Sequence, residues 1–223
     1  MTLPAWVPDV ETKPAPMPLL LVQSFVNTWE GDTGVDLLAD TEAGSEWLEE
    51  AGLLRGTGVD LAQVRAIREN IRALLVHKSG EGDLNPADRK DLAALTARAD
   101  LHLVLDDDLV ELHPAAEDDG LSFLAATLLL IIRDAQRDGS WARLKACRNP
   151  DCHWAYYDRS HAARGAWCDM AVCGNRMKNR NLRSRRSAGA GSAPSQRTSA
   201  AATRPNGARI QPQRTATTTT SER

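Results

Sequence analysis

All four cysteines of the chain lie in one short segment, in the order Cys147-x4-Cys152-x15-Cys168-x4-Cys173. Two pairs with equal internal gaps are separated by a loop that is long enough to fold back, so that two turns can present four thiolates to one point. Zn²⁺ binds such a tetrahedral set of soft ligands at about 2.3 Å. The spacing therefore predicts one structural zinc ion, bound by Cys147, Cys152, Cys168 and Cys173.

Other uses of four thiols remain open at this stage. Reduced cysteines can serve as small buried apolar side chains, disulfides can form, and four thiolates also suit an iron–sulfur cluster. His153 and His161 could act as ligands, but a complete thiolate set places them more naturally at the surface. Because a site made of four cysteines leaves no open position for water or substrate, the metal is expected to be structural rather than catalytic.

Charge is distributed very unevenly along a chain whose total is −3. Residues 1–140 hold 11 Lys and Arg against 26 Asp and Glu, a net of −15. Residues 141–186 hold 11 against 3, a net of +8, and residues 187–223 hold 5 against 1, a net of +4. A polyanionic partner would be repelled by the first part and attracted by the others, which indicates two different roles.

The sequence predicts a cytoplasmic protein that does not enter a membrane. The longest apolar run, Phe123 to Ile132, is about half of the roughly 20 residues that a transmembrane helix needs. The N-terminus lacks the basic start and the small-residue cleavage site of a secretory signal. In that compartment cysteines stay reduced, and metal binding is their more common use.

Four segments are predicted from composition and patterning. Residues 1–18 contain five prolines and form an extended arm, and residues 19–140 form a helical domain. Residues 141–186 form the finger. Residues 187–223 have almost no apolar side chain able to build a core and are expected to be disordered.

Helical periodicity dominates residues 19–140. Val22, Phe25, Val26 and Trp29 fit a short core helix, with a strand as the alternative. A second helix begins at Thr41 and ends near Gly52, with Trp47 and Leu48 facing the core. In the third, between caps Asp60 and Gly80, six apolar residues form a stripe and four charged residues lie off it. The stripe is Leu61, Val64, Ile67, Ile71, Leu74 and Leu75, and the charged residues are Arg65, Arg68, Glu69 and Arg72.

The remaining elements complete the fold class. Asn85 caps a fourth helix with Pro86 at its first position, and a long helix runs from about residue 121 to 138. Between them, Leu101, Leu103 and Leu105 follow a period of two, which predicts a β-hairpin turning at residues 106–108. The predicted fold is mainly α: a multihelical N-terminal domain with a short β-hairpin, plus a small C-terminal four-cysteine zinc finger with a trailing basic helix.

The trailing helix is the candidate nucleic-acid interface. If a helix starts beside Cys173, then Arg176, Arg180 and Arg183 fall on one side of it. Arginine binds phosphates and guanine edges bidentately, and asparagine pairs with adenine. The predicted contacts are Arg176, Lys178, Asn179, Arg180, Arg183, Arg185 and Arg186. A solvated face is the alternative, and an RNA or acidic protein partner would use the same charges. Arg148, Arg176 and Lys178 are also expected to offset the negative zinc–thiolate set.

Some further residues are interpreted structurally. Trp154, Tyr156, Tyr157 and Trp167 could stack on bases but are expected to form the core of the small finger. Asn27 needs hydrogen-bond partners inside an apolar helix, which favours a structural tie over an effector contact. The carboxylates at residues 106–108 are expected to face solvent rather than bind a cation.

The sequence also resembles a known family. CRNPDC, WAYYDRS and WCDMAVCGNRMK are similar to the CGNR zinc finger, named for the run Cys173-Gly174-Asn175-Arg176. SFVNTW and DLLADTEAGSEWLEEAGLL resemble the start of the ABATE domain, which accompanies this finger in bacterial stress-induced transcription regulators. The resemblance covers about residues 18–186. Where family members often carry a basic pair before the tryptophan of the third cysteine, this chain has Gly165 and Ala166.

The resemblance implies a zinc finger behind a helical domain and a regulatory role. We expect a non-enzymatic transcription regulator that binds DNA, with the acidic domain sensing a small-molecule effector or forming a homodimer. The alternative is a zinc-stabilised module that binds protein or RNA without reading a DNA sequence.

Overall fold

The structure is a computed structural model that describes residues 3–55, 59–80, 83–106, 109–115 and 119–190. Residues 107 and 108 of the predicted acidic turn lie outside these ranges. The predicted disordered tail, residues 187–223, also lies outside them except for residues 187–190, which are helical and not disordered. Residues up to Arg183 form one compact unit. The helices are α1 (Leu19–Val26), α2 (Thr41–Glu50), α3 (Leu61–Lys78), α4 (Pro86–Arg98), α5 (Gly120–Arg137) and α6 (Asn175–Ala190).

Six short strands form three separate antiparallel hairpins within the described residues. The pairs are β1 (Trp29–Glu30) with β2 (Val35–Asp36), β3 (Leu101–Asp106) with β4 (Leu109–Pro114), and β5 (Leu144–Ala146) with β6 (Ala155–Tyr157). The protein is therefore mainly α, as predicted, and the hairpin between α4 and α5 is confirmed. Of the helices in the described ranges, none has both the length and the apolarity that a membrane span requires.

Capping residues explain where the helices begin. The side chain of Asp40 accepts a hydrogen bond from Ala43 N, so Asp40 rather than Thr41 caps α2. Asp60 caps α3 as predicted. Asn85 and Asp88 form a reciprocal capping box on α4, with Pro86 at the first position.

The aliphatic core is built by α1, α2, α3 and α5. Phe25, Leu48, Ile71 and Leu128 are among its fully buried side chains. Burial of each such side chain stabilises the fold by about 1.5–3 kcal/mol before entropy is counted. One element differs from expectation: Trp29 belongs to β1, because α1 ends at Val26.

The predicted pattern of α3 is also incomplete. Val64, Ile67, Ile71 and Leu75 are buried as expected. Arg68 and Arg72, predicted to lie off the apolar stripe, are 3% and 4% exposed. Their partners are described below, because Arg72 also connects the helical part to the finger.

Candidate metal centre and the helix that follows it

The first cysteine pair lies in the turn of a β-hairpin. Cys147 directly follows β5, and its N–H donates to the Trp154 carbonyl at 2.9 Å. The N–H of Cys152 donates to the Asn149 carbonyl at 2.9 Å, which closes the turn. His153 then adopts a positive φ of 52°, so that the chain can return into β6. The four-residue gap is therefore the turn of the β5–β6 hairpin.

The second pair is organised by a single turn of π-helix that leads into α6: Cys168 precedes the turn and Cys173 lies within it. The Asp169 side chain accepts a hydrogen bond from Val172 N at 2.7 Å and so caps this turn, Met170–Gly174. An added Cβ at Gly174 would lie 2.4 Å from Met170 Sδ, so a larger residue there would displace the Met170 side chain. Cys173 is thus the fourth of the five residues of the turn, and α6 starts at Asn175, directly after the turn ends.

The four thiols meet the geometric requirement of a zinc site. Their Sγ atoms all lie within 4.8 Å of one another. The distances Cys152–Cys168 and Cys168–Cys173 are both 3.7 Å between sulfurs. A tetrahedron with bonds of about 2.3 Å has edges of about 3.8 Å, so the donor set suits one Zn²⁺. The chain carries a single four-cysteine zinc site, as the spacing predicted.

Before a metal ion binds, the four thiols would ionise unequally. The pKa of Cys147 is lowered, because its thiolate accepts hydrogen bonds from Cys152 and Cys168. The pKa values of Cys152 and Cys168 are raised, because both thiols donate hydrogen bonds to the ionised Cys147 and its negative charge disfavours a second thiolate beside it. A divalent cation supplies the positive charge that lets all four ionise together. Asn149, which is fully buried, donates to Cys173 Sγ at 3.6 Å and offsets part of the remaining charge.

The arginines expected to serve that purpose make other primary contacts. Arg148 Nε donates to the Ser79 carbonyl at the end of α3, at 2.9 Å. Arg176 Nη1 pairs with Asp32 at 2.6 Å. Its pKa is raised by the hydrogen bond and charge of Asp32, and further by the thiolates of Cys173 and Cys152.

The aromatic residues of the finger are structural, as expected. Tyr156 is 1% exposed and packs with the cysteines, while Trp154 and Trp167 are partly buried against the same cluster. Tyr157 packs against the core of the helical part. These contacts make the four rings part of the packing of the protein.

A polar ladder joins the finger to α1. The side chain of Asn27 donates to the Ala155 carbonyl and accepts from the Ala155 N–H, both at 2.8 Å. Gln23 Nε2 donates to the same carbonyl at 3.2 Å. Glu11 accepts hydrogen bonds from Asn27 and Trp154. Asn27 therefore pairs with β6 much as a neighbouring strand would.

α3 carries two buried arginines that sequence reasoning missed: Arg72 forms a second connection to the finger, and Arg68 ties α3 to β2. Arg72 Nη2 donates to the Val26 carbonyl at 2.6 Å, Nη1 donates to the His153 carbonyl at 3.5 Å, and the guanidinium lies 4.6 Å from the Trp29 ring centroid. Arg68 forms a bidentate pair with Asp36, at 2.5 and 2.9 Å. The sequence gives no signal for this burial, because the carbonyl of Val26 and the carboxylate of Asp36 are brought to α3 only by the tertiary structure.

The loop before Cys168 is organised by one carboxylate. Asp158 is buried and accepts hydrogen bonds from Lys145 Nζ and Gly165 N, each at 2.7 Å, and from Ser160. Burial opposes its ionisation, but these hydrogen bonds hold the pKa of Asp158 below its usual range. An added Cβ at Gly165 would lie 2.9 Å from Asp158 Oδ2. A residue with a Cβ at position 165 would therefore have to displace the buried carboxylate.

The turn between β1 and β2 lies against the finger. An added Cβ at Gly31 would lie 2.6 Å from the Cys152 carbonyl oxygen, so only glycine allows this approach. The next residue, Asp32, pairs with Arg176, and Asp151 of the zinc-binding turn lies 3.5 Å from Arg180. Two of the three arginines predicted to share a DNA-facing side therefore have acidic partners in the protein.

The predicted nucleic-acid contacts all lie on α6 and all are exposed. Counted around the helix at about 100° per residue, Lys178 lies roughly opposite the side defined by Arg176 and Arg180. Asn179 and Arg183 lie nearer that side. The predicted contacts are Arg176, Lys178, Asn179, Arg180, Arg183, Arg185 and Arg186.

Fold and site together define a zinc-finger protein in which a helical body precedes a four-cysteine finger. A model of the CGNR zinc finger matches residues 143–186, and a model of the ABATE domain, described as "Putative stress-induced transcription regulator", matches residues 20–137. The chain belongs to the ABATE family and carries a CGNR zinc finger behind that domain. A comparison with curated proteins finds no match.

Proposed function

We propose that the protein is a transcription regulator that binds DNA through its finger and α6, and that it has no enzymatic activity. The observation that carries the proposal is an exposed basic helix that starts directly at the zinc-bound turn. Family membership supports the regulatory part. The zinc ion would fix the start of α6, so that the helix enters a groove at a defined angle.

The dimensions of α6 suit a major groove. Sixteen residues give a helix of about 24 Å, and the major groove of B-DNA is about 12 Å wide and admits an α-helix. Lys178 faces away from the acidic partners of Arg176 and Arg180, which supports it as a first phosphate contact. Asn179 and Arg183 are also exposed on α6 and have the chemistry to read base edges.

The acidic helical part would then regulate rather than bind. Its net charge of −15 repels phosphate, while its Asp32 holds Arg176 of the DNA-binding helix. We assign to it the sensing of a signal or effector, or dimerisation. A signal that moved the β1–β2 turn would change the charge available on α6.

Binding of the zinc-loaded protein to fluorescent duplexes, drawn from its own promoter and from scrambled sequence, tests the proposal across a salt series. If about five phosphates are neutralised, log K falls with log salt at a slope of about −4 to −5. Promoter affinity at least about a thousandfold above the scrambled duplex at physiological salt is the expected result for a specific regulator.

Matched lysine variants sharpen the test. Lys178→Ala is expected to weaken binding to both duplexes alike and to reduce the salt slope by about 1. Lys90→Ala, on the exposed surface of α4, removes the same charge and is expected to leave the slope unchanged. Failure to bind any duplex would overturn the proposal in favour of a protein or single-stranded RNA partner.

A further inference from the structure

The β3–β4 hairpin gathers its apolar side chains on one face. In the antiparallel register, Leu103 lies opposite Leu112 and Leu105 lies opposite Val110. Residues directly opposite each other in such a pair share a face of the sheet. Leu101, at the base of the hairpin, lies on this face as well, by the two-residue period of a strand. We call Leu101, Leu103, Leu105, Val110 and Leu112 the hairpin face.

The helical core leaves most of the hairpin face uncovered, although Leu101 is only 37% exposed and Leu112 is partly buried. Leu103 is 68% exposed, Leu105 71% and Val110 65%. Within the described residues, no side chain of β3 or β4 is part of the buried core or of the apolar shell packed against it. A two-stranded hairpin is marginally stable by itself in water. Five adjacent apolar side chains on such a hairpin mark an interaction surface.

The pattern of the hairpin face fits a second copy of itself. Apolar residues recur at alternate positions on both strands, so rotation by half a turn places apolar side chains against apolar side chains. Such an isologous contact is the commonest way in which identical chains pair. Both strands are also edges of a two-stranded sheet, which leaves backbone donors and acceptors available beside the apolar face.

Charge selects the direction of pairing. β3 ends at Asp106, and by sequence Asp107 and Asp108 join it to β4, so three consecutive carboxylates belong to this end of the hairpin. Two hairpins packed with their tips together would bring these charges into contact, whereas an antiparallel arrangement separates them by the length of the hairpin. A strand of six residues spans about 20 Å, which exceeds the screening length of about 8 Å at physiological salt.

The area is sufficient for a specific but modest dimer. Covering five side chains, three of them about two-thirds exposed, on each of two hairpins removes on the order of 1,000 Å² from water, which is near the lower limit for specific interfaces. Edge-strand hydrogen bonds would add to this.

We propose that the protein forms a two-fold symmetric homodimer through the hairpin face, with the two hairpins antiparallel. This inference goes beyond DNA binding and does not depend on it. It does give the DNA-binding proposal a geometric consequence, because a two-fold dimer reads two inverted half-sites.

Sedimentation velocity of the full-length, zinc-loaded protein without DNA, over a concentration series, is the test. The wild-type protein is expected to shift from monomer to dimer. Val110→Glu is expected to raise the dissociation constant at least about tenfold, since it buries a charge at the contact. The matched control is Val35→Glu, because Val35 is 61% exposed and lies on a different two-stranded hairpin. It is expected to dimerise like the wild type.

A second substitution and a local readout guard against misfolding. Leu103→Lys is expected to weaken the dimer to a similar extent, and both hairpin variants are expected to keep the wild-type thermal midpoint at concentrations where all are monomers. Amide exchange in residues 101–106 and 109–114 is expected to slow as protein concentration rises. A wild-type monomer throughout, a Val110→Glu variant that dimerises normally, or protection confined to another region would each overturn the proposal.

Discussion

Two helices of this molecule carry arginines at nearly the same spacing, and they use them in opposite ways. Arg65, Arg68 and Arg72 of α3 stand at i, i+3 and i+7, and α6 has arginines at 176, 180 and 183. On α3 the last two are almost fully buried, whereas those on α6 are exposed. Spacing alone therefore does not distinguish an arginine that is buried in the fold from one that is exposed on its surface.

The two sets of arginines differ in where their hydrogen-bond acceptors lie: within the fold for α3, and at the surface for α6. Arg68 meets the carboxylates of Asp36 and Glu69, and Arg72 meets Glu69 and two carbonyl oxygens. Burial without such partners would cost several kcal/mol for each charge. On α6, the acidic partners of Arg176 and Arg180 form ion pairs that remain open to water, so a competing phosphate can replace them.

Removing zinc is expected to have the largest effect. It should release the start of α6 from its fixed position while leaving the arginines of α3 in place. Structural zinc contributes apparent free energies of about 10–16 kcal/mol in finger peptides. Chelation, or Cys168→Ser, is expected to abolish DNA binding and to lower the thermal midpoint, with most helical circular dichroism retained.

Re-addition of zinc is the control for chelation and should restore binding, but it should not rescue Cys168→Ser. A chelated protein with an unchanged midpoint and unchanged affinity for DNA would contradict the structural role of the metal.

Truncating a buried arginine is expected to be the next largest effect. Arg68→Ala leaves Asp36 without its bidentate partner, and breaking a buried pair in this way costs about 3–5 kcal/mol. Chemical denaturation at neutral pH measures the loss. Arg133→Ala is the matched control, because Arg133 also pairs with an aspartate, Asp134, but at the surface of α5. It is expected to cost less than about 1 kcal/mol.

The cost of Arg68→Ala should also depend on pH in a defined direction. Burial disfavours the charged form of Asp36, but the hydrogen bond and charge of Arg68 bring its pKa below the ordinary 3.8. A lowered carboxyl pKa contributes stability above the unfolded value and loses it as pH falls through the folded value. The difference between wild type and variant should therefore be largest near neutrality and shrink below pH 3.8. Equal losses for Arg68→Ala and Arg133→Ala would remove the distinction between the two helices.

The sequence contained the local information but not the long-range partners. Asp60, Asn85 and Pro86 mark helix starts because capping acts within about four residues, and the cysteine pairs reveal the metal because ligand spacing is a local property. The burial of Arg68 was not predictable in the same way, since Asp36 lies 32 residues away. The pairing of Asp32 with Arg176 spans 144 residues.

The same limit applies to apolar residues. Leu103 and Leu105 follow a strand period that correctly predicts the β3–β4 hairpin, and a period of two usually means that one face is covered. In the described structure that face lies outside the core. Periodicity gives the face on which side chains lie, and only the packed fold shows whether anything covers it.

The smallest expected effect on stability concerns the contact that links the two parts. Asp32→Asn removes a surface ion pair, which is worth about 0–1 kcal/mol. The same substitution should change DNA affinity more than it changes stability, because it frees Arg176 for a phosphate and removes a negative charge from beside α6. We expect tighter binding, with a salt slope steeper by about 1.

Asp83→Asn is the control for this last prediction, because it removes the same charge from an exposed position before α4 and so has the same effect on the overall field. If both variants raise affinity equally, the acidic body acts through its net charge alone. If only Asp32→Asn does so, the β1–β2 turn controls Arg176 directly, and the arginines of α6 resemble those of α3 in needing an acidic partner until DNA replaces it. Unchanged or weaker DNA binding by Asp32→Asn would mean that Arg176 is a structural residue, like Arg68, and would leave DNA contact to the residues that follow it.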